Sequence, residues 1–213
     1  MLDILATPGE VFDEVMAGPP CLANWLVPTL LVCLASLVLL RTAATSDQIS
    51  VAVSRLADAG KLSAAQADAL TRNWPSVSAF TICLGAAAGM GWSALLLWLI
   101  GRVCLKTPFP FGKALEVVGL SSVVLLLGTV FTALLVAATG DPTARPALSI
   151  LAGRLPPESH LRAALDTLNF FHFWSAGVLA VGLSKLSGVG FKESAFWVLG
   201  YWIVVRLMLI LLA

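Results

Sequence analysis

Charge is scarce in this chain: Asp, Glu, Lys and Arg together make up 12% of the 213 residues, against 59% apolar types. A soluble domain carries about a quarter charged residues, so there is too little polar surface here to coat a water-soluble globule. The formal net charge is only +1, which gives no electrostatic footprint for nucleic acid. The first 40 residues contain no Lys or Arg. That excludes the basic start of a cleavable signal peptide, and the first apolar run is expected to be retained as its own insertion signal. The four cysteines, Cys21, Cys33, Cys83 and Cys104, are scattered, with no CxxC and no nearby histidine. A zinc site wants clustered ligands, so these read as small apolar residues. HExxH, P-loop and GxSxG motifs are missing, and no apolar segment carries two acids; no enzyme and no cofactor is expected. No repeat of 20 to 50 residues stands out.

What the sequence does have is long apolar runs. About 20 residues cross the ~30 Å of hydrocarbon at 1.5 Å per residue. Five segments meet or approach that length: Cys21 to Leu40, Val77 to Ile100, Ala114 to Thr139, Leu168 to Ser184 and Ala195 to Ala213. The expected fold class is all-α, a polytopic bundle of five transmembrane helices in one domain, 1–213.

Two further helical pieces flank these runs. "TPGE" suggests Thr7 as N-cap, Pro8 at N1 and Glu10 at N3, a capping box with a proline start. Val11, Phe12, Val15 and Met16 then share a face, which predicts a short amphipathic helix on the membrane surface or against the bundle. The link 41–76 predicts a helical hairpin outside the hydrocarbon, broken at Gly60. Its second arm is capped by Ser63 with Gln66 and stopped by Pro75, with Leu56, Leu62, Leu70 and Trp74 facing inward.

Basic residues in short loops set orientation. The link 101–113 holds Arg102, Lys106 and Lys113 with no acid, and 185–194 holds Lys185 and Lys192 against Glu193. The long links hold more basic residues at lower density. Density near the helix ends puts the short links in the cytoplasm, with the N-terminus inside and the C-terminus outside.

Several residues stand out within the apolar runs. Gly85 and Gly89 have GxxxG spacing, which permits close helix packing, either inside the bundle or at a homodimer seam. His172 lies among Phe170, Phe171, Phe173 and Trp174. It reads as one more ring of an interfacial aromatic belt or as a proton- or ligand-handling group. Arg206 falls inside the fifth run, where a cation snorkels, pairs with polar groups or lines a pathway. Its candidate partners are Asp166, Asn169 and the α-carboxylate of Ala213. Glu116 is the only carboxylate inside a run, and a proton-driven carrier usually wants a buried acid.

The ordered pieces Pro8 with Phe12, Trp25 with Pro28, "FPFGKALEVVGLSS" with Phe111, Gly119 and Ser121, and "LNFFHFWSAGVLAVGLSKLSGVGFKESA" with Trp174 and Gly182 resemble the Yip-one domain family, named for Ypt-interacting proteins. That resemblance implies a five-span membrane protein. Leu120 stands where the family has tyrosine, and the Asp-Leu-Tyr-Gly-Pro-type motif of eukaryotic members is missing before the second run. The binding of prenylated Rab-type GTPases by eukaryotic relatives is therefore not carried over. The short N-terminal stretch resembles bacterial members and implies a bacterial inner membrane. The expectation is a non-enzymatic factor that organises or recruits partners, with membrane lipids, other membrane proteins or a second copy as candidates. The alternative is a small transporter or channel component using Arg206 and His172.

Overall fold

The computed structural model describes residues 2–43, 46–148 and 160–212. Among these no strand forms, apart from an isolated antiparallel bridge between Ala147 and Asn169. A short 3-10 turn, Leu2–Leu5, leads into α1 (Pro8–Ala17) and α2 (Ala23–Ala43). Then follow α3 (Ser46–Asp58), α4 (Ala64–Leu99), α5 (Phe111–Thr139), α6 (His160–Thr167), α7 (Phe170–Ser187) and α8 (Phe191–Leu212). One π-helical turn, Ile100–Cys104, extends α4. Among the described residues, three helical stretches are long and apolar enough to cross a membrane: 23–43, 64–104 and 111–139. On α2 the exposed side chains Leu26, Leu30, Leu34 and Val38 recur every fourth residue. Such a stripe would be costly in water but is at ease against lipid tails.

Helix α5 is the central post, against which α2, α4 and α7 all pack. Val117, Leu120, Val123 and Val124 are buried within it. Its contact with α2 is closest at Gly119, where an added Cβ would sit 2.6 Å from the Asn24 carbonyl oxygen. The reason lies four residues further along α2. Pro28, inside the helix, has no N–H to give that carbonyl. The Gly119 Cα–H faces the oxygen instead, a weak C–H···O contact of the kind that recurs between helices. Proline and glycine are thus two halves of one interface.

Helix α1 lies against the bundle. Phe12 is fully buried, with Val11, Val15 and Met16 packed beside it, as the spacing predicts. The capping box does not form: the Thr7 hydroxyl donates to the Asp3 carbonyl at 3.4 Å, back into the preceding 3-10 turn. Other groups hold the helix. Lys113 Nζ donates to the carbonyls of Val15 at 2.6 Å and Gly18 at 2.9 Å, capping the end of α1 with a cation, and lies 3.4 Å from Glu116 Oε2. Glu116 in turn accepts from the Cys21 amide at 2.8 Å and from Asn24 Nδ2 at 3.2 Å, at the start of α2. Glu116 is 1% exposed and Lys113 7%. Lys113 therefore belongs to the interior and does not count as a loop charge, which leaves Arg102 and Lys106 in that link. A second ion pair, Lys185–Asp13 at 2.6 Å, ties α1 to the end of α7 at the surface.

The link 41–76 differs from expectation in its second arm. Gly60 takes a left-handed φ of 69°, and Ser63 and Gln66 form the reciprocal capping box. Pro75, however, does not stop the helix, and α4 runs through it to Leu99. Proline is tolerated inside long apolar helices because hydroxyls and neighbouring groups take up the freed backbone. The carbonyl that Pro75 leaves without its helical donor is that of Thr71, one turn back. Leu56 is exposed, whereas Val53 is buried.

The two ion pairs should respond very differently to mutation. Glu116→Ala leaves the Lys113 ammonium buried without its counter-charge, and a loss of about 3–5 kcal/mol is expected. Asp13→Ala removes a partly exposed pair, for which a loss of at most about 1 kcal/mol is expected. Thermal unfolding of both variants in one detergent checks the order. A larger loss for Asp13→Ala contradicts the clamp.

Candidate functional site

Helices α2, α4, α5, α7 and α8 enclose a cavity of about 410 Å³, within the range of small-molecule sites, ~300–1,000 Å³. Its walls are mainly apolar, including Val118, Leu125, Leu179 and Val205. Thr29, Ser93, Ser121, Ser122, Ser175 and Tyr201 add hydroxyls. Most of these hydroxyls are already engaged. Ser121 and Ser122 donate to helix carbonyls of α5 at 2.7 and 2.6 Å, Ser175 donates to the Ser121 carbonyl at 3.4 Å, and Thr29 donates to the Trp25 carbonyl at 2.6 Å. Among the described residues the lining includes one cation, Arg206, and no carboxylate.

Arg206 stands on α8 six residues before Leu212, about 9 Å from that helix end at 1.5 Å per residue. Its Nη2 lies 3.5 Å from His172 Nδ1, and its guanidinium carbon lies 5.6 Å from the centre of the Trp202 ring, on its own helix. A guanidinium can only donate, so in this pairing His172 accepts at Nδ1 and carries its proton on Nε2. His172 stands at the start of α7 and faces Arg206 of α8.

Of the polar group expected from sequence, Arg206 and His172 meet. Asn169 is engaged elsewhere, its Oδ1 capping α7 by accepting from the Phe171 amide at 2.9 Å. Among the described residues, the hydrogen-bond partner of Arg206 is His172 and not Asp166. The Ala213 carboxylate lies outside the described residues. The aromatics around His172 divide by face. Phe171 packs over Gly128 of α5 and against Phe131, Phe173 packs on Trp202, and Phe170 is exposed.

Gly85 and Gly89 form no packing seam inside the bundle, one of the two roles their spacing suggests. Both line the cavity, and a Cβ at either would meet nothing within 4 Å. The close approaches fall on other glycines. At Gly182 a Cβ would strike Val117 and come within 3.1 Å of the Phe12 ring, so Gly182 is the notch into which α1 inserts its phenylalanine. Gly119 meets α2, Pro8 is the first residue of α1, Ser121 is buried on the cavity wall, and Trp174 stacks near Phe171. The pattern residues Pro8, Phe12, Gly119, Ser121, Trp174 and Gly182 therefore cluster where α1, α2 and α7 meet α5. Sequence reading misses the Lys113–Glu116 clamp, although the i, i+3 spacing of opposite charges is a usable signal.

One family description, the Yip1 domain, matches residues 2–213. No curated protein and no solved structure matches the chain.

The glycines give a sharp test. Gly89→Ala adds a methyl group in open space and removes a flexible helix residue, so stability should be unchanged or rise by up to about 1 kcal/mol. Gly119→Ala and Gly182→Ala each drive a methyl into a neighbouring helix, and losses of about 1–3 kcal/mol are expected. Melting temperatures of the three variants in one detergent check this. A Gly89→Ala variant as destabilised as the other two contradicts the packing described.

Proposed function

We propose, for a chain that belongs to the Yip1 domain family, a five-span, non-enzymatic membrane factor that organises or recruits partners within the bilayer. The chain is a membrane protein with apolar spanning helices. The observation that carries the reading is the cavity lining: apolar walls, hydroxyls most of which are bonded to helix backbone and, among the described residues, one cation without a carboxylate. Such walls suit binding. They offer no acid to relay a proton through the bundle and no general base beside a free nucleophile. Membrane lipids, a second copy or another membrane protein are the candidate partners, and the setting is a bacterial inner membrane.

The five spans in this reading are α2, the apolar part of α4, α5, α7 and α8, with the N-terminus in the cytoplasm. Two contacts support the alternation. Lys185 at the end of α7 pairs with Asp13 of α1, and Lys113 at the start of α5 holds the end of α1. The N-terminus, the start of the third span and the end of the fourth thus share one end of the bundle, as odd and even spans require. Arg102 and Lys106 lie in the α4–α5 link at that end, and the positive-inside tendency makes it cytoplasmic.

The second reading, a small conduit, is favoured only by the meeting of Arg206 and His172 at one end of the cavity. Two experiments separate these readings. In a background without native cysteines, Cys at position 60 should label from outside with an impermeant thiol reagent, and Cys at 106 should not; labelling of 106 from outside overturns the topology. Chemical cross-linking in native membranes should capture a defined partner, while proteoliposomes show no solute flux. If Arg206→Leu leaves the melting temperature unchanged and abolishes a measured flux, the conduit replaces the recruiting factor.

A further inference from the structure

We propose that the cavity holds one anionic lipid of the surrounding bilayer, its headgroup at Arg206 and His172 and one acyl chain along the apolar slot. Three observations carry this. The first is charge. Arg206 is a cation inside an apolar helix, with no carboxylate among the described residues that line its cavity. Its neighbours include a histidine acceptor at 3.5 Å, the face of Trp202 and Tyr201 on the same wall, none of which balances a full positive charge. Intramembrane arginines face protein or water, or meet a counter-charge, because an isolated one is costly. A phosphate or carboxylate headgroup supplies that counter-charge in the fork geometry that guanidinium favours.

The second observation is shape. On α7 the lining runs from His172 to Leu179, and on α5 from Leu125 to Val118. Each stretch, seven helical steps, is about 10 Å along the helix axis. The slot therefore starts at the Arg206–His172 pair near one end of the bundle and extends as a mainly apolar channel toward its middle. That is the outline of an amphiphile with one end polar, not of a small soluble anion.

The third observation is access. Helices α4 and α8 both border the cavity, yet the main interfaces of α4 are with α5 and α2, and that of α8 is with α7. On the α4 side Gly85, Gly89 and Trp92 are exposed. The lip is bare at both glycines, where a Cβ would meet nothing within 4 Å. A lipid can thus enter sideways from the hydrocarbon without first leaving the membrane.

The inference rests on the reading of α8 as a membrane span. It is independent of which protein partner is recruited: partner capture by cross-linking can fail while lipid binding holds, and the reverse. The test titrates the purified full-length protein in a neutral detergent with dioleoyl phosphatidylglycerol or dioleoyl phosphatidylcholine. Bound lipid is read by native mass spectrometry. One phosphatidylglycerol should bind at least about tenfold more tightly than phosphatidylcholine, the scale of one charge-assisted hydrogen-bonded contact. Arg206→Gln should erase that preference, and Arg206→Lys should keep part of it. Gly89→Leu, which fills the slot from its open lip, should weaken binding of the anionic lipid with Arg206 intact. It decides the matter if Arg206→Gln fails to fold. Millimolar inorganic phosphate should not displace the lipid. Equal binding of the two lipids, unchanged binding in Gly89→Leu, or displacement by inorganic phosphate would each overturn the proposal, the last in favour of a soluble anion.

Discussion

Everything in this bundle hangs on two oppositely charged side chains one turn apart near the start of α5. Glu116 and Lys113 are buried, and burial of an isolated ion would cost several kcal/mol. Neither is isolated. Each partly balances the other, and both direct their remaining hydrogen-bonding capacity to a chain reversal. Lys113 takes the carbonyls where α1 ends; Glu116 takes a backbone amide and the Asn24 side chain where α2 begins. The turn through Gly18, Pro19 and Pro20 has few backbone donors of its own, since proline has none. The central helix supplies from its side chains what the turn cannot supply from its backbone.

From that anchor the rest follows along α5. With the start of α2 fixed, the carbonyl that Pro28 leaves without a helical donor comes to rest on Gly119. With the end of α1 fixed, Phe12 drops into the notch at Gly182 of α7. Further along α5, Ser121 receives the Ser175 hydroxyl on its carbonyl, and beyond it Gly128 admits Phe171. These contacts set the spacing of α2 and α7 against α5. They leave α4 and α8 on the far side without a tight seam between them, and the cavity occupies the remaining space.

Much of this is legible in the sequence, for physical reasons that differ from place to place. The apolar runs, the face of α1 and the Ser63–Gln66 box are local patterns, and local patterns survive folding. The glycines are harder. Gly85 and Gly89 carry a familiar spacing but meet nothing inside the bundle, while Gly119 and Gly182 carry none and make the close approaches. Spacing along one helix says nothing about which face a neighbour will take. The same limit applies to Arg206. Its depth is readable, but its partner depends on the rotation of α8, which brings it to His172 and not to Asp166. Lys113 reads as a loop charge because its link is short and basic; only the packing of α1 over it shows that it is buried. Pro75 reads as a stop because proline usually ends helices in water, a weaker rule where the helix continues into an apolar stretch.

The central claim is that a buried carboxylate–ammonium pair on α5 welds the N-terminal helix onto the bundle. Amide hydrogen exchange over residues 8–17 tests it most directly, comparing the wild-type protein with Glu116→Gln in the same detergent. The account predicts slow exchange in the wild type, comparable to the start of α5, and markedly faster exchange over this segment in the variant while α7 stays protected. Exchange of residues 8–17 at the rate of an unstructured peptide in the wild-type protein would contradict it.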